Sequence, residues 1–131
     1  MTVNFFMTTS CTSCRRAKIW LENHQVEFKE RNIYADPLDK EEIKALLRLC
    51  ENGTEDLIST RCHIFKDFKN KINRMSLSKV IDLLVTHPEL LKQPILVDDK
   101  RIEIGFHDDE IRTFLPKEVR RMQLERMLNQ A

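Results

Sequence analysis

The stretch Ser10-Cys11-Thr12-Ser13-Cys14-Arg15-Arg16 decides the fold, because it joins two segments of different periodicity. The apolar run Val3–Met7 comes before it and is typical of a buried β-strand. In the segment that follows, residues 17–24, apolar side chains recur at the spacing of one helix face. The sequence therefore predicts that a Cys-x-x-Cys pair lies where a strand turns into a helix.

The start of a helix favours chemistry at the first cysteine. The first backbone N–H groups of a helix have no partner within the helix and carry partial positive charge, so they stabilise a thiolate. Arg15 and Arg16 place further positive charge nearby. We therefore predict that Cys11 is the exposed nucleophile. Cys14 follows one turn later on the same face, at a separation that suits a disulfide.

A Cys11–Cys14 disulfide suits a switch better than a structural crosslink, because the stabilisation from a disulfide grows with the length of the loop it closes. Two alternatives stay open: ordinary helix cysteines, and a zinc site that also uses Cys50, Cys62 and His63. Structural zinc sites usually contain two closely spaced pairs of ligands. Here Cys11 and Cys14 form one such pair, whereas Cys50 and Cys62 are far apart in the sequence. We expect no metal and no cofactor.

Composition predicts one globular domain without a general attraction to nucleic acid. The 131 residues suffice for a hydrophobic core, and the net charge is only +1. Between residues 61 and 79, however, basic residues greatly outnumber the single acidic one, Asp67. They are Arg61, Lys66, Lys69, Lys71, Arg74 and Lys79. Such a segment is usually a solvated face, and the alternative is a contact with nucleic acid or an acidic partner.

The expected compartment is the cytoplasm. The chain begins without the basic and long apolar segments of a secretion signal, and it has no apolar run of roughly 20 residues. Four cysteines without a secretory context indicate a reducing compartment. In that setting a Cys-x-x-Cys pair is typical of redox or metal chemistry.

The first half of the chain predicts a β-α-β unit followed by short helices. Residues 26–33 alternate and form the second strand, parallel to the first. Asp39 and Glu42 have the spacing of a capping box, which begins a run of helices over residues 39–87. Asn52 and Gly53 should end the first of these, with glycine adopting the left-handed conformation after its last turn.

The second half predicts a β-hairpin and two helices. Residues 93–97 and 101–104 flank a polar turn. A helix should then bury Ile111, Phe114 and Leu115, and Pro116 should be the first residue of a final charged helix. This order is the plan of a thioredoxin-like α/β fold with a β-α-β/β-β-α core, over 1–38 and 88–131, and an inserted helical subdomain over 39–87. In that fold Pro94 would be cis beside the cysteines.

Several motifs together carry a family resemblance over almost the whole chain. They are Cys11-Thr12-Ser13-Cys14-Arg15, Arg31-Asn32-Ile33, Asn52-Gly53-Thr54, Ile58-Ser59-Thr60-Arg61, Pro94-Ile95 and Asp109-Glu110-Ile111-Arg112-Thr113-Phe114-Leu115-Pro116. The chain resembles the Spx family of transcriptional regulators, within the wider group of ArsC-like arsenate reductases.

The resemblance implies a monomeric cytoplasmic regulator rather than an enzyme, with no catalytic residues. Its partner would be the C-terminal domain of the RNA polymerase α subunit, and promoter DNA would be reached only through polymerase. Cys11 and Cys14 would be the redox switch, Gly53 would lie where the chain touches the polymerase domain, and Arg61 would be tied to the oxidised, active state. The family is degraded by the ClpXP protease through its C-terminal tail, and here the tail, residues 128–131, departs from the usual ending.

A second departure bears on enzymatic activity. Gln93 stands directly before Pro94, where the arsenate reductases carry an arginine that holds the oxyanion. Glutamine can donate hydrogen bonds but brings no charge. The alternative function, an ArsC-like arsenate reductase or thiol-disulfide oxidoreductase, is weakened by this replacement. A third alternative is an adaptor built around a structural zinc ion.

Overall fold

The computed structural model describes residues 2–130, so Met1 and Ala131, the last residue of the altered tail, lie outside it. The strands and helices in chain order are β1 Val3–Met7, α1 Thr12–Asn23, β2 Phe28–Asn32, α2 Lys40–Leu49, α3 Thr54–Leu57, α4 His63–Ile72, α5 Leu77–Thr86, β3 Ile95–Val97, β4 Ile102–Ile104 and α6 Lys117–Gln130. This order confirms the predicted α/β plan, in which short helices separate a β-α-β unit from a hairpin.

A four-stranded sheet with the order β2-β1-β3-β4 organises the fold. The central strand β1 pairs in parallel with β2 and antiparallel with β3, so that Phe5 lies between Glu30 and Leu96. The parallel pairing follows from the α1 crossover, because two parallel strands need a long connection between them. The end of β1, which leads to the cysteines, therefore lies in the middle of the sheet.

Each face of the sheet has its own apolar core. On one face Phe5 and Leu96 pack with Cys14, Ala17 and Leu21 of α1. This arrangement buries the second cysteine in the core, at the start of the helix that follows β1. Cys14 is therefore part of the packing of α1 and is not on a detached loop.

On the other face the inserted helices share one core with the sheet. Ile43 of α2 and Leu84 of α5 belong to the same apolar cluster as Phe6 and Ile95 of the strands. The predicted capping box at the start of α2 is confirmed, with Asp39 and Glu42 each accepting a backbone N–H of the other.

Three local predictions are wrong at the boundaries of elements. Gly53 does not follow the last turn of α2, which ends at Leu49, and instead it is the N-cap of α3. The helix predicted to bury Ile111 and Phe114 is a single 3-10 turn, Ile111–Phe114, in which these two side chains are buried. Pro116 precedes α6 rather than opening it, and its carbonyl accepts the N–H of Arg120. In each case the local backbone hydrogen bonds set the boundary.

One buried carboxyl group lies in the edge strand β4. Glu103 is opposite Leu96 and only 5% exposed, and within residues 2–130 neither of its carboxylate oxygens has a hydrogen-bond partner. Burial raises the pKa of Glu103 to about 7; the nearby backbone amide of His107 opposes this rise, and Glu110 adds to it. The folded chain therefore favours the neutral form of this side chain.

Replacing Glu103 with glutamine is expected to stabilise the protein at pH 8 and to change little at pH 4.5. The stability associated with the neutral carboxyl group is fully present below the unfolded pKa of 4.5, and it is lost as the pH rises through the folded pKa of about 7. Glutamine stays neutral, so the free energy of unfolding in urea should rise by about 1–3 kcal/mol at pH 8. The same change at both pH values would contradict this assignment.

Candidate functional site

Cys11 is the N-cap of α1, as predicted, and Cys14 lies one turn into the helix. The backbone of Cys11 is extended, with φ −100° and ψ 117°, and its Sγ accepts the backbone N–H of Cys14 at 3.1 Å. A sulfur atom thus occupies the capping position that serine, threonine, aspartate and asparagine usually fill. The N–H of Cys14, one of the N–H groups at the start of a helix that have no partner within the helix, is directed at this sulfur.

The two thiols differ sharply in exposure. Cys11 is partly exposed, whereas Cys14 is 1% exposed, and both are free thiols. Burial raises the pKa of Cys14 to about 12, and its side-chain hydrogen bond with Cys11 adds to the rise, whereas the backbone amide of Thr8 opposes it. An oxidant from solvent can therefore reach Cys11, and Cys14 is placed to react with the sulfur of Cys11.

The arginines after the motif lie on the surface beside the dithiol. Arg15 donates to the hydroxyl of Thr12 at 3.4 Å, and the guanidinium of Arg16 lies over the ring of Phe106, 5.4 Å from its centre. Both arginines are exposed. They supply positive charge around the first turn of α1, and their guanidinium groups are held by Thr12 and Phe106.

The segment before β3 contacts the residue that directly follows β1. The Gln93–Pro94 peptide bond is cis, as predicted. The side chain of Gln93 accepts a hydrogen bond from Thr8 Oγ1 at 2.5 Å and donates one to the hydroxyl of Tyr34 at 3.2 Å. The oxygen and the nitrogen of the Gln93 side-chain amide are therefore both hydrogen-bonded to neutral hydroxyl groups. Thr8 and Tyr34 were not predicted from the sequence, although a polar residue directly after β1 could have indicated the first.

Gly53 and Arg61 lie in the connections of the helical segment. Gly53 has φ 65° and ψ −134°, and a Cβ placed on it would meet nothing within 4 Å. Arg61 is exposed in the turn before α4, and within residues 2–130 its side chain makes no ion pair or hydrogen bond. Neither residue forms a hydrogen bond with Cys11 or Cys14 in the described chain.

A short antiparallel contact connects the Arg61 segment with the segment before β3. Ile58 forms an isolated bridge with Leu91, and the backbone N–H of Lys92 donates to the carbonyl of Leu57 at 2.7 Å. Arg61 follows this bridge closely on one strand, and Gln93 follows it on the other. The two segments are thus fixed to each other, and because they run antiparallel, Arg61 and Gln93 leave the bridge in opposite directions.

The other cysteines lie at helix ends away from the pair. Cys50 is the C-cap of α2 and Cys62 is the N-cap of α4, and both are half-buried. Burial raises the pKa of the Cys50 thiol, and the charge of Asp56 adds to this rise. Among residues 2–130 no three His, Cys, Asp or Glu side chains are placed together to hold a metal ion.

The predicted basic segment forms an exposed surface along α4 and the turn into α5. All six basic side chains between residues 61 and 79 are exposed, and in the described chain none of them forms an ion pair. Lys71, Arg74 and Lys79 line one surface depression at the turn. No helix between residues 2 and 130 is both long and apolar enough to cross a lipid bilayer.

Comparison with known proteins identifies relatives over nearly the whole chain. The ArsC family model matches residues 6–114. Two proteins named global transcriptional regulator Spx are similar. The one from Enterococcus faecalis is 44% identical over 93% of this chain and 92% of its own length. The one from Bacillus subtilis is 46% identical over 93% of each.

Solved structures share the fold. A Bacteroides fragilis protein described as related to the ArsC family is 28% identical, with a TM-score of 0.80 over 87% of this chain and 98% of that one. An arsenate reductase from Vibrio cholerae is 19% identical, with a TM-score of 0.75 over 87% of this chain and 95% of that one. At this identity the second match shows the fold alone.

Proposed function

Because the chain belongs to the ArsC family and, within it, to the Spx group of transcriptional regulators, we propose that it controls transcription by binding the C-terminal domain of the RNA polymerase α subunit. The dithiol of Cys11 and Cys14 switches this binding when the cell meets thiol stress. The observation that carries the proposal is the pairing of an accessible N-cap sulfur, which accepts the backbone N–H of Cys14 at 3.1 Å, with the buried thiol of that same Cys14.

The chemical step uses a hydroperoxide as the oxidant. The thiolate of Cys11 attacks the terminal peroxide oxygen and the O–O bond breaks, which leaves a sulfenic acid on Cys11. The other oxygen departs as an alkoxide, or as hydroxide from hydrogen peroxide, and takes up a proton from water. Cys14 loses its proton and attacks the sulfur of Cys11, an S–S bond forms, and the departing hydroxide takes up the proton as water. Reduction by a cellular dithiol restores the two thiols.

The disulfide acts on the partner surface through the start of α1. Closing it shifts the N-cap and removes the contact between the Cys11 sulfur and the first turn of the helix. The shift passes to the segment before β3 and to the start of α4, where it repositions Arg61. A coupling free energy of about 1–3 kcal/mol between the dithiol and the surface that binds polymerase is enough for such a regulator.

Gly53 belongs to the surface that binds polymerase in this proposal. Its positive φ and the open space around its Cα let the backbone of a partner approach closely. The chain acts as a monomer in the cytoplasm and reaches promoter DNA only through polymerase. Its last helix, α6, has no buried side chain among its described residues, so the segment through which ClpXP would engage the chain is exposed, while the ending at residues 128–131 departs from that of the family.

A pull-down with purified components tests the partner. The full chain, immobilised, should retain the isolated C-terminal domain of the α subunit, and it should not retain promoter DNA when polymerase is absent. The Cys14→Ser variant serves as the matched form that cannot close the disulfide. If the wild-type chain fails to retain the polymerase domain in either redox state, the proposed partner is wrong.

The second candidate function is an arsenate reductase or thiol-disulfide oxidoreductase. The dithiol at the end of β1 favours it, and the neutral contacts of Gln93 with Thr8 and Tyr34 weigh against oxyanion binding. A turnover assay with arsenate or a disulfide substrate, and glutathione or thioredoxin as reductant, separates the two. Sustained catalysis that is lost in Cys11→Ser would establish the enzyme, whereas a single stoichiometric oxidation reversed by dithiothreitol would support the regulator.

The basic segment is expected to touch promoter phosphates in the complex with polymerase. If Lys71, Arg74 and Lys79 each neutralise a phosphate, retention of DNA by the complex should fall steeply with salt. The logarithm of the binding constant should fall with the logarithm of the salt concentration, with a slope of about −0.9 per phosphate contact. Replacing all three residues with glutamine should make this slope less negative by about 3. A retention that does not change with salt concentration would remove this contact from the proposal.

A further inference from the structure

The loop between α2 and α3 contains an asparagine directly before a glycine. Asn52-Gly53 is the one Asn-Gly pair in the sequence. Asn52 is exposed, and a Cβ placed on Gly53 would meet nothing within 4 Å. Within residues 2–130 the backbone N–H of Gly53 donates no hydrogen bond. The backbone nitrogen of Gly53 is therefore free to react with the side-chain carbonyl carbon of Asn52.

Asn52 also connects this loop to α3. Its backbone N–H donates to Asp56 Oδ2 at 3.0 Å, and its side-chain Nδ2 donates to Asp56 Oδ1 at 3.4 Å. The backbone N–H of Asp56 donates in turn to the carbonyl of Gly53 at 3.2 Å. The carboxylate of Asp56 thus accepts two hydrogen bonds from Asn52, and these bonds hold the loop against the first turn of α3.

The surroundings of Asn52 are acidic. Its side chain lines a surface depression together with four carboxyl side chains and one lysine, which are Glu51, Asp56, Glu103, Glu110 and Lys92. The amide group of asparagine suits this place, because its nitrogen donates hydrogen bonds to carboxylate oxygens. A carboxylate at position 52 would instead be repelled by the like charges around it.

We propose that Asn52 deamidates spontaneously and that the product separates the loop from α3, which impairs the surface around Gly53 that binds polymerase. The effect on polymerase binding rests on the proposed function. The deamidation and the loosening of α3 do not depend on it.

The reaction uses water as its only co-reactant. The backbone nitrogen of Gly53 loses its proton and attacks Cγ of Asn52, so that a new C–N bond closes a five-membered imide ring. The bond between Cγ and Nδ2 breaks, and the nitrogen leaves as ammonia with the proton. Water then opens the ring at either carbonyl, which gives aspartate or isoaspartate. No atom is oxidised or reduced, and glycine presents no side chain that would obstruct ring closure.

Both products change the contact with Asp56. Nδ2, which now donates to Asp56 Oδ1, is replaced by a carboxylate oxygen that cannot donate a hydrogen bond. Two carboxylates then lie next to each other at an exposed loop. Isoaspartate in addition lengthens the main chain by one carbon atom, which moves the backbone N–H of Asn52 relative to its acceptor. The N-terminus of α3 is therefore released in the deamidated chain.

The test incubates the full chain at pH 8 and separates the product, which carries one more negative charge, by anion-exchange chromatography. Peptide mapping by mass spectrometry should locate a gain of one mass unit at residue 52. The exposed Asn70, which Lys71 follows within α4, is the internal control and should keep its mass. Asn52→Gln, which would have to close a larger ring, should stay unmodified over the same period.

Hydrogen exchange reports the loosening of α3. The backbone N–H of Ile58 donates to the carbonyl of Thr54 at 3.0 Å, and it should exchange about 3- to 10-fold faster in the deamidated chain, the range that follows from losing one hydrogen bond. Asn52→Asp should reproduce the effect of the charge, and it should have no effect in a chain that also carries Asp56→Asn. The affinity for the C-terminal domain of the α subunit should fall by about the same factor.

Three results would overturn the inference. They are an unchanged mass at residue 52, a deamidated chain in which Ile58 exchanges at the original rate, and a deamidated chain that binds the polymerase domain as tightly as the fresh one. If the fresh chain does not bind this domain at all, the proposed function fails instead. The mass and the exchange of Ile58 then still decide whether Asn52 deamidates and whether α3 is released.

Discussion

The Gly53→Arg variant is expected to bind the C-terminal domain of the polymerase α subunit at least about 100-fold more weakly than the wild type, an effect of hot-spot size. The space beside the Cα of Gly53 is open, so an arginine side chain fits the isolated chain and projects from its surface. In the complex the same side chain would occupy the space of the partner's backbone. Titration calorimetry with the purified domain measures the loss.

Gly53→Ala is the matched control for the backbone. Any side chain at φ 65° and ψ −134° strains the chain by roughly 1–3 kcal/mol, so alanine and arginine should lower the free energy of unfolding by similar amounts. Only arginine should also abolish binding. If both variants lose binding equally, Gly53 affects binding only through the backbone conformation at the N-terminus of α3. Gly53 would then not lie in the surface that contacts the polymerase domain.

Disulfide closure is expected to accelerate about tenfold for each pH unit between pH 6 and 8, because only the thiolate attacks and the pKa of Cys14 lies far above this range. The physical cause is the burial of Cys14 beside Ala17 and Leu21 in the core. Rapid-quench measurement of closure, started from the sulfenic acid of Cys11, gives this dependence directly.

The Cys14→Ser variant controls for the first oxidation. It should stop at the sulfenic acid, which dimedone traps quantitatively at every pH. A closure rate that is the same at pH 6 and pH 8 would contradict the raised pKa of Cys14, because it would mean that deprotonation of Cys14 does not limit the second step.

The features that depend on local sequence could be predicted. The Cys11 N-cap and the Asp39–Glu42 capping box each need only a few consecutive residues, and their hydrogen bonds are formed within one helical turn. The parallel pairing of β1 and β2 also follows, because a strand, a helix and a strand in direct succession allow few arrangements. In these cases local preference and the overall fold agree.

Some contacts between distant segments could not be predicted. Thr8, Tyr34 and Gln93 come from three separate stretches of the chain, and only the folded sheet brings them together. The position of Gly53 could not be inferred either, since a glycine with positive φ is equally suited to the end of α2 and to the beginning of α3. The backbone hydrogen bonds of α2 end at Leu49, and this leaves Gly53 to begin α3.

The most direct test of the proposed switch is the affinity of the full chain for the C-terminal domain of the α subunit in its two redox states, measured by calorimetry after peroxide or dithiothreitol treatment of the chain. We predict that the oxidised form binds about 5- to 150-fold more tightly, and that Cys14→Ser shows no such difference. Equal affinities in samples whose Cys11–Cys14 disulfide is verified by mass spectrometry would contradict this prediction.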